Sequence, residues 1–88
     1  MRQELAATQS KLESLTTQRE SIQSGQDRLR KNIGSVGRDS ELGRRYLKKL
    51  GEEENQIEEL TGLIQETQAK VEGQRKALAN YLKNLDLE

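Results

Sequence analysis

One series of aliphatic residues, spaced seven apart without a break, constrains the second half of this 88-residue chain more than any other feature. Its members are Leu50, Ile57, Ile64, Val71, Leu78 and Leu85. A seven-residue period keeps one face of an α-helix apolar along its whole length and is typical of coiled coils. A companion series, half of it polar, lies between these positions and comprises Tyr46, Glu53, Leu60, Thr67, Gln74 and Tyr81. Because such a stripe would stay exposed on an isolated helix, we expect it to pack against another helix.

The first half of the chain carries a matching stripe. Its two interleaved series are Leu5, Leu12, Arg19, Gln26 and Ile33, and Thr8, Leu15, Ile22, Leu29 and Val36. Two polar residues, Arg19 and Gln26, interrupt it. They either occupy a splayed stretch that water reaches, with the arginine stem lying over the apolar surface, or they fix the register of the two helices, as buried polar residues in coiled coils can.

A break separates the two stripes. Gly34 or Gly37 can end the first helix by adopting a left-handed conformation. Asp39 or Ser40 can then cap the free amides that open the second helix. The sequence therefore predicts one all-α domain over residues 1–88, an antiparallel two-helix coiled-coil hairpin. The helices are expected at about residues 2–33 and 40–86, with a turn at about 34–39.

The prediction assigns the packing to a seam formed by both stripes. The residues of this seam are Leu12, Leu15, Ile22, Leu29, Leu50, Ile57, Leu60, Ile64, Val71, Leu78 and Leu85. Folding the chain at residue 37 pairs Leu29 with Tyr46 and Leu15 with Leu60. Leu47, Leu63 and Leu82 are expected to widen the seam.

The predicted hairpin has arms of unequal length. The second helix should extend past the first by roughly a dozen residues, which leaves Leu78, Tyr81, Leu82 and Leu85 without a partner. A second copy, giving a dimer with four helices, or the remainder of a longer parent protein would cover them. Leu87 and Glu88 are also interpreted as a possible cloning remnant.

Composition excludes most catalytic chemistry. The chain has no histidine and no cysteine, so it lacks the commonest general base, the commonest metal ligand and any thiol. Gly34–Gly37 is too short for a phosphate-binding loop and follows no strand. We therefore expect a protein that is not an enzyme and that needs no cofactor or metal. No apolar run approaches the roughly 20 residues of a membrane span, which predicts a soluble chain without assigning a compartment.

Charge is segregated along the chain although the formal net charge is zero. Between Asp27 and Lys49 lie three acids and eight cations, a local balance of +5. We call these cations the basic tip: Arg28, Arg30, Lys31, Arg38, Arg44, Arg45, Lys48 and Lys49. Residues 50–69, the acidic shaft, hold six glutamates and no cation.

Three interpretations of this pattern remain open at the sequence level. The charges can form a solvated surface with pairs four residues apart, such as Glu41 with Arg45. They can set the register of self-association, with one molecule's basic tip against another's acidic shaft. Alternatively the tip can bind nucleic acid. This interpretation is disfavoured because the adjacent acids repel phosphate and no aromatic side chain is available for base stacking.

The segments Leu29–Ile33, Asp39–Leu50 and Glu53–Leu60 carry a resemblance to a known family. Their Arg-x-Asn turn entry, Ser-x-Leu helix start, Arg-Tyr-Leu and Glu-x-x-Ile-Glu follow-on resemble the coiled-coil portion of a bacterial family of unknown function, related to mucoidy inhibitor A type proteins. In that family the hairpin accompanies a β-rich domain. The resemblance implies a bacterial origin and a fragment of a larger protein, and it carries over no functional residue.

Overall fold

Two long helices make up the part of the chain that the structure describes. The computed structural model describes the backbone of residues 2–87 and the side-chain burial of residues 2–85. α1 spans Arg2–Val36 and α2 spans Glu41–Leu87. They pack side by side into a body of 72 × 15 × 14 Å. The predicted all-α antiparallel hairpin is confirmed.

The turn is built from one glycine and one serine. Gly37 has a φ of 87°, and its amide donates a hydrogen bond of 2.9 Å to the carbonyl of Ile33, the left-handed cap that ends α1. Ser40 Oγ accepts a 2.9 Å bond from the amide of Gly43 and donates a 2.7 Å bond to the carbonyl of Gly37. Ser40 is therefore the N-cap of α2. Because Gly37 rather than Gly34 takes the left-handed conformation, α1 continues three residues past its predicted end at residue 33.

Gly43 occupies a second position, besides Gly37, where the turn disfavours a side chain. A Cβ atom placed on Gly43 would overlap the carbonyl oxygen of Gly37 and lie 3.0 Å from Ser40 Oγ. By contrast, a Cβ on Gly51, Gly62 or Gly73 would meet nothing within 4 Å. Each of these three glycines costs α2 about 1 kcal/mol relative to alanine, and no close contact within the hairpin offsets that cost.

Cross-helix hydrogen bonds show the register of the two helices. Arg19 Nη1 donates to Thr61 Oγ1 at 3.3 Å, and Gln26 Nε2 donates to Glu54 Oε1 at 3.0 Å. In an antiparallel pair the numbers of two facing residues add up to a constant. That sum is 80 for both observed pairs and 75 for the predicted pairing of Leu15 with Leu60, so each residue of α1 faces a residue of α2 about five positions later than predicted. The predicted register was wrong by about one helical turn, because the chain reverses at residues 37–40 and not around residue 37 itself.

The observed register matches opposite positions of the two stripes. It places Leu15 level with Ile64 and Leu29 level with Leu50. The leucines of α1 belong to the series that contains Thr8, and their partners in α2 belong to the unbroken aliphatic series, which gives the alternating layers of antiparallel coiled coils. The observed register also shortens the unpaired part of α2 to about nine residues. Leu78, predicted to lack a partner, is accordingly half-buried, while Tyr81 is 52% exposed.

Candidate interaction surfaces

The seam buries few side chains, and none completely. The apolar residues that fall below a tenth of their full exposure are Leu15, Leu29, Ile33, Ile64 and Val71. Six other residues of the predicted seam are half-buried: Leu12, Ile22, Leu50, Ile57, Leu60 and Leu78. Leu85 is 48% exposed and lies outside the packed region, because α2 has passed the start of α1 at that level. Ile33 belongs to the apolar series but was not assigned to the seam, since the helix was expected to end there.

Polar residues complete the seam, and the threonines among them bond within their own helix. Thr8 Oγ1 donates to the carbonyl of Glu4 at 2.9 Å, and Thr67 Oγ1 donates to the carbonyl of Leu63 at 2.6 Å. Both threonines are more than 90% buried. A hydroxyl satisfied by the preceding turn leaves its methyl group free to pack, so these residues behave as small apolar residues in the seam.

Arg19 and Gln26 connect the helices. Gln26 is only 3% exposed, so the interpretation that water reaches this stretch was wrong for Gln26. Arg19 is half-buried and donates to Thr61 across the seam. The carboxylate of Glu54 accepts a hydrogen bond from the side-chain amide of Gln26. It also lies 3.6 Å from the guanidinium of Arg30. These cross-helix contacts favour a role for both polar residues in setting the register.

Glu53 is one of two described residues, with Gln74, whose shielded side-chain oxygen lacks a hydrogen-bond partner. Its side chain is half-buried, and its Oε1 atom is shielded from solvent without a hydrogen-bond partner. Its other oxygen, Oε2, would lie 3.8 Å from a Cβ atom on Gly25, an ordinary van der Waals contact. A shielded carboxylate oxygen without a donor destabilises the folded state.

Replacing Glu53 with leucine should therefore stabilise the hairpin. The variant Glu53→Leu removes the unpaired oxygen and adds apolar area to the seam, so we expect the free energy of unfolding to rise by about 1–3 kcal/mol. Urea unfolding followed by circular dichroism at one fixed protein concentration measures the change. Glu52→Leu, at the exposed neighbouring position, serves as the control and should change little. Equal effects of the two variants would contradict the role assigned to Glu53.

The eight cations of the basic tip are all exposed, and they do not share one face. Arg30 lies within ion-pair distance of Asp27 at 3.3 Å and of Glu54 at 3.6 Å. Arg45 pairs with Glu41 at 3.5 Å, as the spacing predicted. Arg44 donates a 2.9 Å hydrogen bond to the carbonyl of Asp39 in the turn. Three of the eight cations are thus engaged within the hairpin, while the other five appear in no recorded ion pair among the described residues.

The acidic shaft begins one turn beyond the basic tip. Five of its glutamates are exposed: Glu52, Glu54, Glu58, Glu59 and Glu66. The sign of the surface charge changes between Lys49 and Glu52, and Gly51 lies exposed at the boundary. The two regions belong to one continuous helix, α2, so their relative positions are fixed.

Several large apolar side chains lie outside the seam. Leu42 and Leu63 are each 42% exposed, and Leu82 is 37% exposed. Leu63 and Leu82, predicted to widen the seam, are thus only partly covered, whereas Leu47 is half-buried. A shallow groove beside the turn is lined by both apolar and cationic residues, namely Arg30, Ile33, Gly34, Arg38, Leu47 and Leu50.

Two further searches cover the residues that the structure describes. Within them, no group of three or more acidic side chains is arranged to hold a metal ion. Neither α1 nor α2, over its described residues, contains a stretch apolar enough to cross a bilayer.

Comparison with known proteins returns no relative. No protein-family model matches the chain, and neither curated proteins nor solved structures show significant similarity to it. These comparisons do not test the resemblance to mucoidy inhibitor A type proteins, which stays a prediction.

Proposed function

We propose that the hairpin is a non-catalytic structural or protein–protein interaction module that acts by self-association, two copies forming a four-helix arrangement. The observation that carries the proposal is the incomplete core. Among the residues whose burial is described, no side chain is more than 98% buried, and only five apolar side chains fall below a tenth of their full exposure. A second hairpin would supply the layer that this core lacks.

The physical reason is the low apolar content of a two-helix seam. Stable domains bury a shared core between at least two layers of secondary structure. Each apolar side chain that is fully buried contributes about 1.5–3 kcal/mol, while ordering each residue costs about 1–2 kcal/mol of backbone entropy. Half-buried residues such as Leu12, Ile57 and Leu60 contribute only part of their potential. Association would bury more of the same surface.

The charge distribution favours self-association over the alternative, a nucleic-acid-binding arm. A cationic tip and an anionic shaft on one molecule are complementary between copies. For nucleic acid, Arg30 and Arg45 are already within ion-pair distance of carboxylates. The exposed glutamates that follow Gly51 would repel a phosphate backbone running along α2.

Sedimentation equilibrium over a range of protein concentrations tests the proposal. We expect a reversible dimer at micromolar concentrations, with weaker association at high salt because screening reduces the attraction between tip and shaft. A strict monomer up to millimolar concentration would contradict self-association. A salt-sensitive gel shift with mixed RNA and DNA from a monomeric sample would favour the alternative instead.

A further inference from the structure

One exposed face of α2 carries opposite charges at equal distances from Gly51. Arg44, Gly51 and Glu58 are spaced seven residues apart on one continuous helix, so they lie on the same face. All three are exposed. Along this face a cation, a glycine and an anion follow one another. Reversing the direction of the helix exchanges the positions of the cation and the anion.

We propose that two copies of the chain associate through this face, with the α2 helices crossing antiparallel at Gly51 on a twofold axis. The inference rests on the proposed function, since it names the surface through which self-association takes place. A residue a given number of positions before Gly51 then faces the residue the same number after it in the other copy. Arg44 faces the partner's Glu58, and Glu58 faces the partner's Arg44.

A second copy fits this face because a twofold interface must be complementary to itself. The face meets that condition only in the antiparallel direction, since a parallel pair would set Arg44 against the partner's Arg44. Among the described residues Glu58 takes part in no recorded ion pair. Its carboxylate is thus available to a second molecule.

Gly51 supplies an independent observation. A Cβ at this position would meet no atom of the hairpin within 4 Å, so packing within one molecule does not explain this residue of poor helix propensity. The same is true of Gly62 and Gly73, but of the three only Gly51 lies midway between Arg44 and Glu58. At a twofold crossing, two glycines facing each other allow the helix axes to come close together. The turn of α2 that precedes Gly51 contributes Leu47 and Leu50 to the groove beside the turn of the hairpin, which offers apolar surface next to the crossing.

Single-cysteine variants test the geometry directly, because the chain contains no cysteine. Gly51→Cys places the same thiol on both sides of the twofold axis, within the Cα separation of about 4.4–6.8 Å that a disulfide requires. Under mild oxidation of a dilute sample, we expect Gly51→Cys to form covalent dimers at least about tenfold faster than Gly73→Cys. Gly73 is the matched control, since it is equally exposed in α2 and equally free of neighbouring atoms.

Charge exchange tests the pairing. Glu58→Arg should weaken dimerisation about tenfold or more, because it sets two like charges against each other on both sides of the axis. Arg44→Glu should do the same, and the double variant should regain most of the lost affinity. Circular dichroism checks that each variant keeps its helicity, which matters for Arg44 because it also bonds to the turn.

The outcomes separate the inference from the function on which it rests. A parent dimer in which Gly51→Cys and Gly73→Cys cross-link at the same rate would overturn the crossing at Gly51 and leave self-association standing. Failure of the double charge exchange to restore affinity, with both single variants folded, would likewise overturn it. A parent chain that is monomeric and a Gly51→Cys variant that does not cross-link would overturn both.

Discussion

Ile64→Asp is expected to abolish most of the helical signal of this protein at room temperature. Ile64 is 4% exposed and lies level with Leu15 near the middle of the seam. Loss of a buried isoleucine costs about 2–5 kcal/mol, and shielding a carboxylate from water adds to that cost. The sum approaches the whole stability expected for a chain of this size, about 0.05–0.15 kcal/mol per residue.

The adjacent residue provides the control. Leu63→Asp introduces the same carboxylate one position away on a side chain that is 42% exposed, so its melting temperature should stay close to that of the parent. Leu15→Asp, on the facing helix, should behave as Ile64→Asp does. Circular dichroism at 222 nm during thermal melting gives the comparison. A seam of this register is excluded if Ile64→Asp remains as helical and heat-stable as Leu63→Asp.

Gly43→Ala should destabilise the hairpin although alanine is the better helix former. The new methyl group would overlap the carbonyl oxygen of Gly37 and crowd Ser40 Oγ, the two groups that hold the turn. Displacing them should disturb the N-cap of α2. We expect a loss of about 1–3 kcal/mol in the free energy of unfolding, the usual cost of overpacking.

Gly73→Ala should change the free energy of unfolding in the opposite direction and stabilise the hairpin. It lies in the same helix with nothing within 4 Å of its added methyl group, so the variant should gain about 0.5–1 kcal/mol from helix propensity alone. Urea unfolding of both variants at one protein concentration measures the pair. If Gly43→Ala also gains stability, the turn can relax without cost and glycine is not required at that position.

The fold could be predicted from the sequence because the information lies in a repeating pattern. The unbroken series from Leu50 to Leu78 marks one face of α2 through many turns. A polar residue at a single position would therefore not change the predicted packing face. Polar members such as Thr67 obey the same spacing and are buried by it, their hydroxyls bonding to the preceding turn. Periodicity thus identifies the face irrespective of the side chain at each site.

The register could not be predicted with the same accuracy, because it depends on a few atoms in the turn. Gly34 and Gly37 both permit a left-handed conformation, and only the bonds made by Ser40 select Gly37. A shift of the turning point by two to three residues moves every facing pair by about five. The role of Gly43 gave no signal in the sequence, since nothing there distinguishes it from Gly51, Gly62 or Gly73.

Two details beside the seam, the exposure of one side chain and a contact between the helices, were also not predicted. Leu63 follows the spacing of a residue beside the seam, yet it is 42% exposed because two slender helices cover only a narrow strip of each other. The contact between Gln26 and Glu54 depends on the register and could not be foreseen with the wrong one.

The placement of cations before Gly51 and anions after it gives a formally neutral rod a large electric dipole along its axis. The centres of the two charged stretches of α2 lie about ten residues apart, roughly 15 Å at the rise of an α-helix. That separation exceeds the screening length of about 8 Å in physiological salt. The two stretches are therefore largely screened from each other, and the zero net charge does not describe the potential near either of them.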